Sequence, residues 1–63
     1  MCFQNGEYAK LRYVAYGDFN VEGVFEVGET VQLWDVDWWN HMAMLMKDGE
    51  RYFIDLLQVE KIK

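Results

Sequence analysis

Asp48-Gly49 stands between two apolar runs, residues 42–46 and 52–54, and no other feature restricts this chain as strongly. An Asp-Gly pair so placed signals a two-residue hairpin, because both residues accept the positive φ that its tight turn demands. Such a loop fixes the register. Lys47 faces Glu50, Met46 faces Arg51, Leu45 faces Tyr52, Met44 faces Phe53, Ala43 faces Ile54 and Met42 faces Asp55. One face then carries Ala43, Leu45, Tyr52 and Ile54, with the Lys47–Glu50 pair at its tip. The other carries Met42, Met44, Met46 and Phe53 with Arg51 and Asp55, and its two charged residues make it the expected outer face. The methionines are thus expected as contact surface, unless a bulge before Met42 reverses the assignment. A helix over 38–47, capped by Asp37 and ended by Gly49, is the alternative. It would be apolar nearly all round, which a 63-residue chain can hardly cover.

A chain of 63 residues forms one domain at most, here residues 1–63 with 1–6 expected to fray. Small scaffolds usually need a staple, since a core of this size rarely supplies more than about 3–5 kcal/mol net. The lone cysteine, Cys2, makes no internal disulfide, so three Trp, four Tyr and four Phe must supply the packing. One cysteine and no signal-like segment fit a cytoplasmic chain. No apolar run approaches membrane length.

Residues 8–16 alternate, with Ala9, Leu11, Tyr13 and Ala15 as the expected buried set against Tyr8, Lys10, Arg12, Val14 and Tyr16. Residues 17–29, with three glycines and four acids, read as a long acidic loop or irregular hairpin. Alternation returns over 30–36, with Val31 and Leu33 set against Gln32 and Trp34, and predicts a second strand.

This pattern resembles an SH3-like small β-barrel. Residues 25–33 (FEVGETVQL) resemble the segment in which that fold leaves its first long loop and opens the second strand. DWW at 37–39 resembles the family's Trp-Trp pair. Residues 50–62 (ERYFIDLLQVEKI) resemble its fourth strand, single helical turn and closing strand. The resemblance implies an all-β, five-stranded SH3-like barrel with Trp38 at the position of the exposed Trp of the family's peptide groove. Asp55 stands where that groove has Pro, Gln58 where it has Tyr, and the Ala-Leu-Tyr-Asp-Tyr start is absent. The residues that read Pro-rich peptides are therefore not retained.

Enzyme readings lack parts. The chain has no serine, Thr30 belongs to a strand pattern, and Cys2 and His41 are far apart with no third member. His41 has no second His or nearby Cys to share a metal, and the acidic loop lacks the ligand spacing of a calcium site. The glycines at 17, 23 and 28 open no helix that could cradle a phosphate. No cofactor or metal is expected.

Charge is unevenly placed. Net charge is −5, and all six basic residues lie outside 13–46, where Asp18, Glu22, Glu26, Glu29, Asp35 and Asp37 fall. An acidic chain with a Met/Trp face suits an interaction module: methionine adapts to a partner, Trp anchors, and acids steer toward a basic surface. The expected contact set is Trp38 as anchor, Trp34, Met42, Met44, Met46 and Phe53 as apolar surface, and Asp18, Glu22, Glu26, Asp35 and Asp37 as the selecting charge. Inhibition or redirection of a larger protein follows from size and acidity, as in small phage-encoded inhibitors of host enzymes. The alternatives are a homodimer closed by the Met face, or single-stranded nucleic acid bound by Tyr8, Lys10 and Arg12 near Lys61 and Lys63. The overall negative charge opposes the latter.

Overall fold

A computed structural model describes residues 2–62. In chain order its elements are β1 (Tyr8–Leu11), β2 (Ala15–Tyr16), β3 (Phe19–Asn20), β4 (Thr30–Gln32), β5 (Trp34–Asp37), β6 (Met42–Lys47), β7 (Glu50–Asp55), a single 3₁₀ turn (Leu56–Gln58) and β8 (Val59–Lys61). They form an antiparallel sheet ordered β4-β1-β8, the hairpin β2-β3, and a second antiparallel sheet ordered β5-β6-β7. The chain is all-β, with no helix among the described residues long and apolar enough to cross a membrane. The sheets are not closed into one barrel, and there are eight short strands where five were expected.

Three local causes account for the extra strands. The expected first strand stops at Leu11, because the amides of Arg12 and Tyr13 turn to the Gln58 carbonyl at 2.6 and 3.3 Å. Of its expected buried set only Ala9 and Leu11 are buried, while Tyr13 and Ala15 are exposed. The end of that segment and the start of the acidic loop form a hairpin, Ala15–Tyr16 against Phe19–Asn20 across Gly17-Asp18. The expected second strand divides at Leu33, the corner between sheets: its N–H donates to the Glu7 carbonyl (2.9 Å) while its own carbonyl accepts from Gly6 N (2.6 Å).

The Asp48-Gly49 hairpin has the expected register at all six pairs, from Lys47↔Glu50 to Met42↔Asp55. Both turn residues lie at positive φ, 53° and 81°, as a two-residue turn with matched twist requires. Residues 42–47 are strand, and an irregularity does occur nearby. It falls on β5, where Trp34↔Met44 and Asp37↔Met42 leave one residue over, and Asp35 adopts φ 48°. Placed there, the bulge leaves the faces of β6 unchanged.

The core joins Ala9, Leu11, Val31 and Val59 of one sheet to Ala43, Leu45 and Ile54 of the other, with Leu33 between them and Val21 and Phe25 of the acidic loop closing one side. Residues of the amino-terminal segment bond to the rest of the domain. Asn5 Oδ1 accepts from the Val36 amide at 2.7 Å, and Lys61 Nζ donates to the Cys2 carbonyl at 2.6 Å. The side chain of Asn5 thus caps part of the open edge of β5.

Candidate functional site

The outer face of β5-β6-β7 is built from cross-strand rows. Trp34, Met44 and Phe53 face one another across three strands, and Asp37, Met42 and Asp55 form the next row. Phe53 and Met46 are each 52% exposed and Trp34 38%. Met44, of the expected contact set, is only 7% exposed. It occupies the central strand between two large rings, which cover it from both sides. Trp34 in turn lies over Gly6, where a Cβ would meet its ring at 3.6 Å and φ is +83°.

The turn over 38–41 ends this face. Asp37 Oδ1 accepts from the Trp39 and Asn40 amides at 3.0 and 3.1 Å, and Oδ2 accepts from Asn40 Nδ2 at 2.8 Å. The Asn40 side chain and then its amide hold the Asp37 carboxyl below its ordinary range. His41, at φ 60°, accepts from Leu56 N through its carbonyl (2.9 Å) and sets Nδ1 2.9 Å from Asp55 Oδ1. Trp38 stacks on Phe3, with centroids 6.2 Å apart and planes at 11°, and its Nε1–H donates to the Phe3 carbonyl at 3.2 Å. Trp38 is 41% exposed, whereas Trp39 stands 95% in solvent. The sequence reading missed Trp39, since two adjacent tryptophans give no sign of which one packs.

The expected single site divides. Asp35 and Asp37 share β5 with Trp34, but Glu22 and Glu26 belong to a loop on the opposite side of the sheet. Lys47 Nζ pins that loop by donating to the Val24 carbonyl (2.6 Å) and Glu29 Oε2 (3.3 Å), and Phe25 meets inner-face Tyr52 edge-on at 5.7 Å. Asp18 sits at the tip of the β2-β3 hairpin. Of the expected acids, Asp35 and Asp37 share a strand with the apolar face, where Asp55 joins Asp37 in one cross-strand row.

Of the basic residues near the first sheet, Lys61 is paired, donating to Glu7 Oε2 at 2.7 Å, while Lys10 stands opposite Glu60 in the strand register. Tyr8 is exposed, and Arg12 lies over the Tyr13 ring. Lys63 lies outside the described residues. Among those described, no three His, Cys, Asp or Glu side chains gather as metal ligands would.

Glu7 titrates below its ordinary range, chiefly through the Lys61 hydrogen bond and then the Gln4 amide. A carboxyl that ionises more readily folded than unfolded adds stability that is complete above the unfolded value. That stability is lost as pH falls through the folded one. Chemical-denaturation midpoints are thus expected to hold steady from pH 7 to 5 and to fall below about pH 4. Glu7→Gln and Asp37→Asn should each flatten that fall; an acid limb unchanged in both would discount these carboxylates.

The fold and this face define a small all-β chain with an apolar, acid-flanked surface. Comparison with protein-family models, curated proteins and solved structures found no match.

Proposed function

We propose that the chain is an SH3-like interaction module, not an enzyme, which binds a larger protein of basic or mixed surface and inhibits or redirects it. The observation that carries this reading is the outer face itself. Trp34, Met46 and Phe53 stay substantially exposed on one side of one sheet, and Trp38, 41% exposed, lies in the turn that follows β5. Contiguous apolar surface of this kind on a small domain marks an interaction site. The strand orders β4-β1-β8 and β5-β6-β7, with a single 3₁₀ turn before the last strand, support the resemblance to SH3-like folds. Buried Gln58, in place of a ligand-stacking Tyr, supports a partner other than a Pro-rich peptide.

The test is capture from source-cell lysate on immobilised protein at low and moderate salt, followed by calorimetry on the purified target. Trp38→Ala should weaken binding by about 2 kcal/mol, roughly thirtyfold. Trp38 also holds Phe3, so Phe53→Ala, which alters only the exposed sheet face, is the companion variant and should weaken the same target. Both variants binding like the wild type, or no specific retention, would overturn the reading.

A further inference from the structure

Beside the turn that carries Trp39 lies a hollow of about 290 Å³. Phe3, Trp38, Leu57 and Val59 line it, Arg12 supplies positive charge, Lys61 is already held by Glu7, and Glu60 is a carboxylate on its border. Leu57 is 47% exposed there, and Arg12 meets no carboxylate among the described residues. Trp38 and His41, which flank the Trp39 turn, also line the hollow. One molecule thus presents a projecting indole with a carboxylate at its base and, next to it, an apolar recess with a cation.

We propose that two copies of this chain associate by exchange, the Trp39 of each entering the hollow of the other with Asp37 approaching Arg12 of its mate. Three observations carry this. First, a nearly bare Trp forgoes the large burial that its ring offers, and this one is held out by a turn fixed through three hydrogen bonds to Asp37. The backbone beneath the indole is therefore already ordered, and only side-chain torsions remain to be fixed on entering a partner pocket. Second, the charges match, because Asp37 lies at the base of the indole and Arg12 beside the recess. Third, the turn that carries Trp39 borders the recess through Trp38 and His41, so the contact can be reciprocal and close as a two-fold dimer instead of growing into a filament. Two indoles and the walls they cover amount to about 800 Å² in all, below the roughly 1,200 Å² at which stable specific interfaces begin, so the dimer is a weak one and self-association is expected only from about 0.1 mM upward. The proposal does not rest on the Phe53 face, and purified protein alone tests it.

The experiment is sedimentation equilibrium from 10 µM to 1 mM under reducing conditions, so that Cys2 forms no disulfide, with acrylamide quenching of Trp emission in parallel. Wild-type protein should dimerise, and its quenching should fall as concentration rises. Trp39→Ala, which removes a side chain almost wholly in solvent, and Leu57→Asp, which charges the recess, should each stay folded and weaken the dimer at least tenfold. Mixing these two variants should restore partial association, because one intact indole then meets one intact recess. A wild type that remains monomeric to 1 mM, or a Trp39→Ala variant that dimerises like it, would overturn the proposal. So would a mixture that associates no better than its parts.

Discussion

Replacing Gln58 by Met is expected to lower folding stability by about 4 kcal/mol, most of what a core of this size supplies. Gln58 is fully buried, and all its polar atoms are used. Its Nε2 donates to the carbonyls of Tyr13 and Phe19 at 3.1 and 3.3 Å, and its Oε1 accepts from the Asp55 amide at 2.8 Å. Its main-chain carbonyl receives Arg12 N and Tyr13 N. The side chain therefore fixes both the start of the acidic loop and the cap of the 3₁₀ turn, where Asp55 Oδ1 accepts from Leu57 N at 2.8 Å. Methionine keeps nearly the same volume but leaves two carbonyls and one amide without their partner, each at about 1–3 kcal/mol if water cannot reach it. Urea denaturation followed by Trp fluorescence measures the loss, and hydrogen exchange at the β2-β3 hairpin should rise with it. A loss under about 1 kcal/mol would mean that packing around residue 58, and not its hydrogen bonds, holds the loop.

Leu33→Ala should cost about 3 kcal/mol, within the range for truncating a buried leucine. Leu33 is fully buried at the corner where one extended segment leaves the first sheet and enters the second. A cavity there loosens both sheets at once. It also disturbs the backbone that Gly6 and Glu7 bond, so the amino-terminal segment over Trp38 should become more mobile. Val27→Ala, at a position 63% exposed, is the comparison and should stay within about 0.5 kcal/mol. Equal effects at the two positions would discount the corner as a linchpin of the fold.

Both residues show where a linear pattern stops being informative. Leu33 reads from the sequence as one more inward residue of a strand, and inward it is. That its strand changes sheets there depends on what pairs with each half, β1 before it and β6 after it. Gln58 reads as a missing aromatic. Its burial depends on carbonyls 45 and 39 residues away, which no local signal brings together.

The candidate site divides in the same way. Local rules were sufficient for the hairpin: two residues that accept positive φ set the turn, the turn set six cross-strand pairs, and the period of two assigned the inner and outer sides. They do not tell which outer residue its neighbours cover: Met44 alternates outward like Met46 but, between Trp34 and Phe53, is only 7% exposed. Nor could they tell Trp38 from Trp39, because one stacks on Phe3, 35 residues earlier, and the other meets solvent. The acids of the long loop and the rings of the second sheet looked like one surface only until Lys47 and Phe25 tied that loop to the inner side. Turn chemistry and side-chain alternation are properties of a few consecutive residues, so the sequence alone determined them. Exposure is set by whatever distant segment arrives to cover a side chain, and that was decided only when the three sheets and the amino-terminal segment came together.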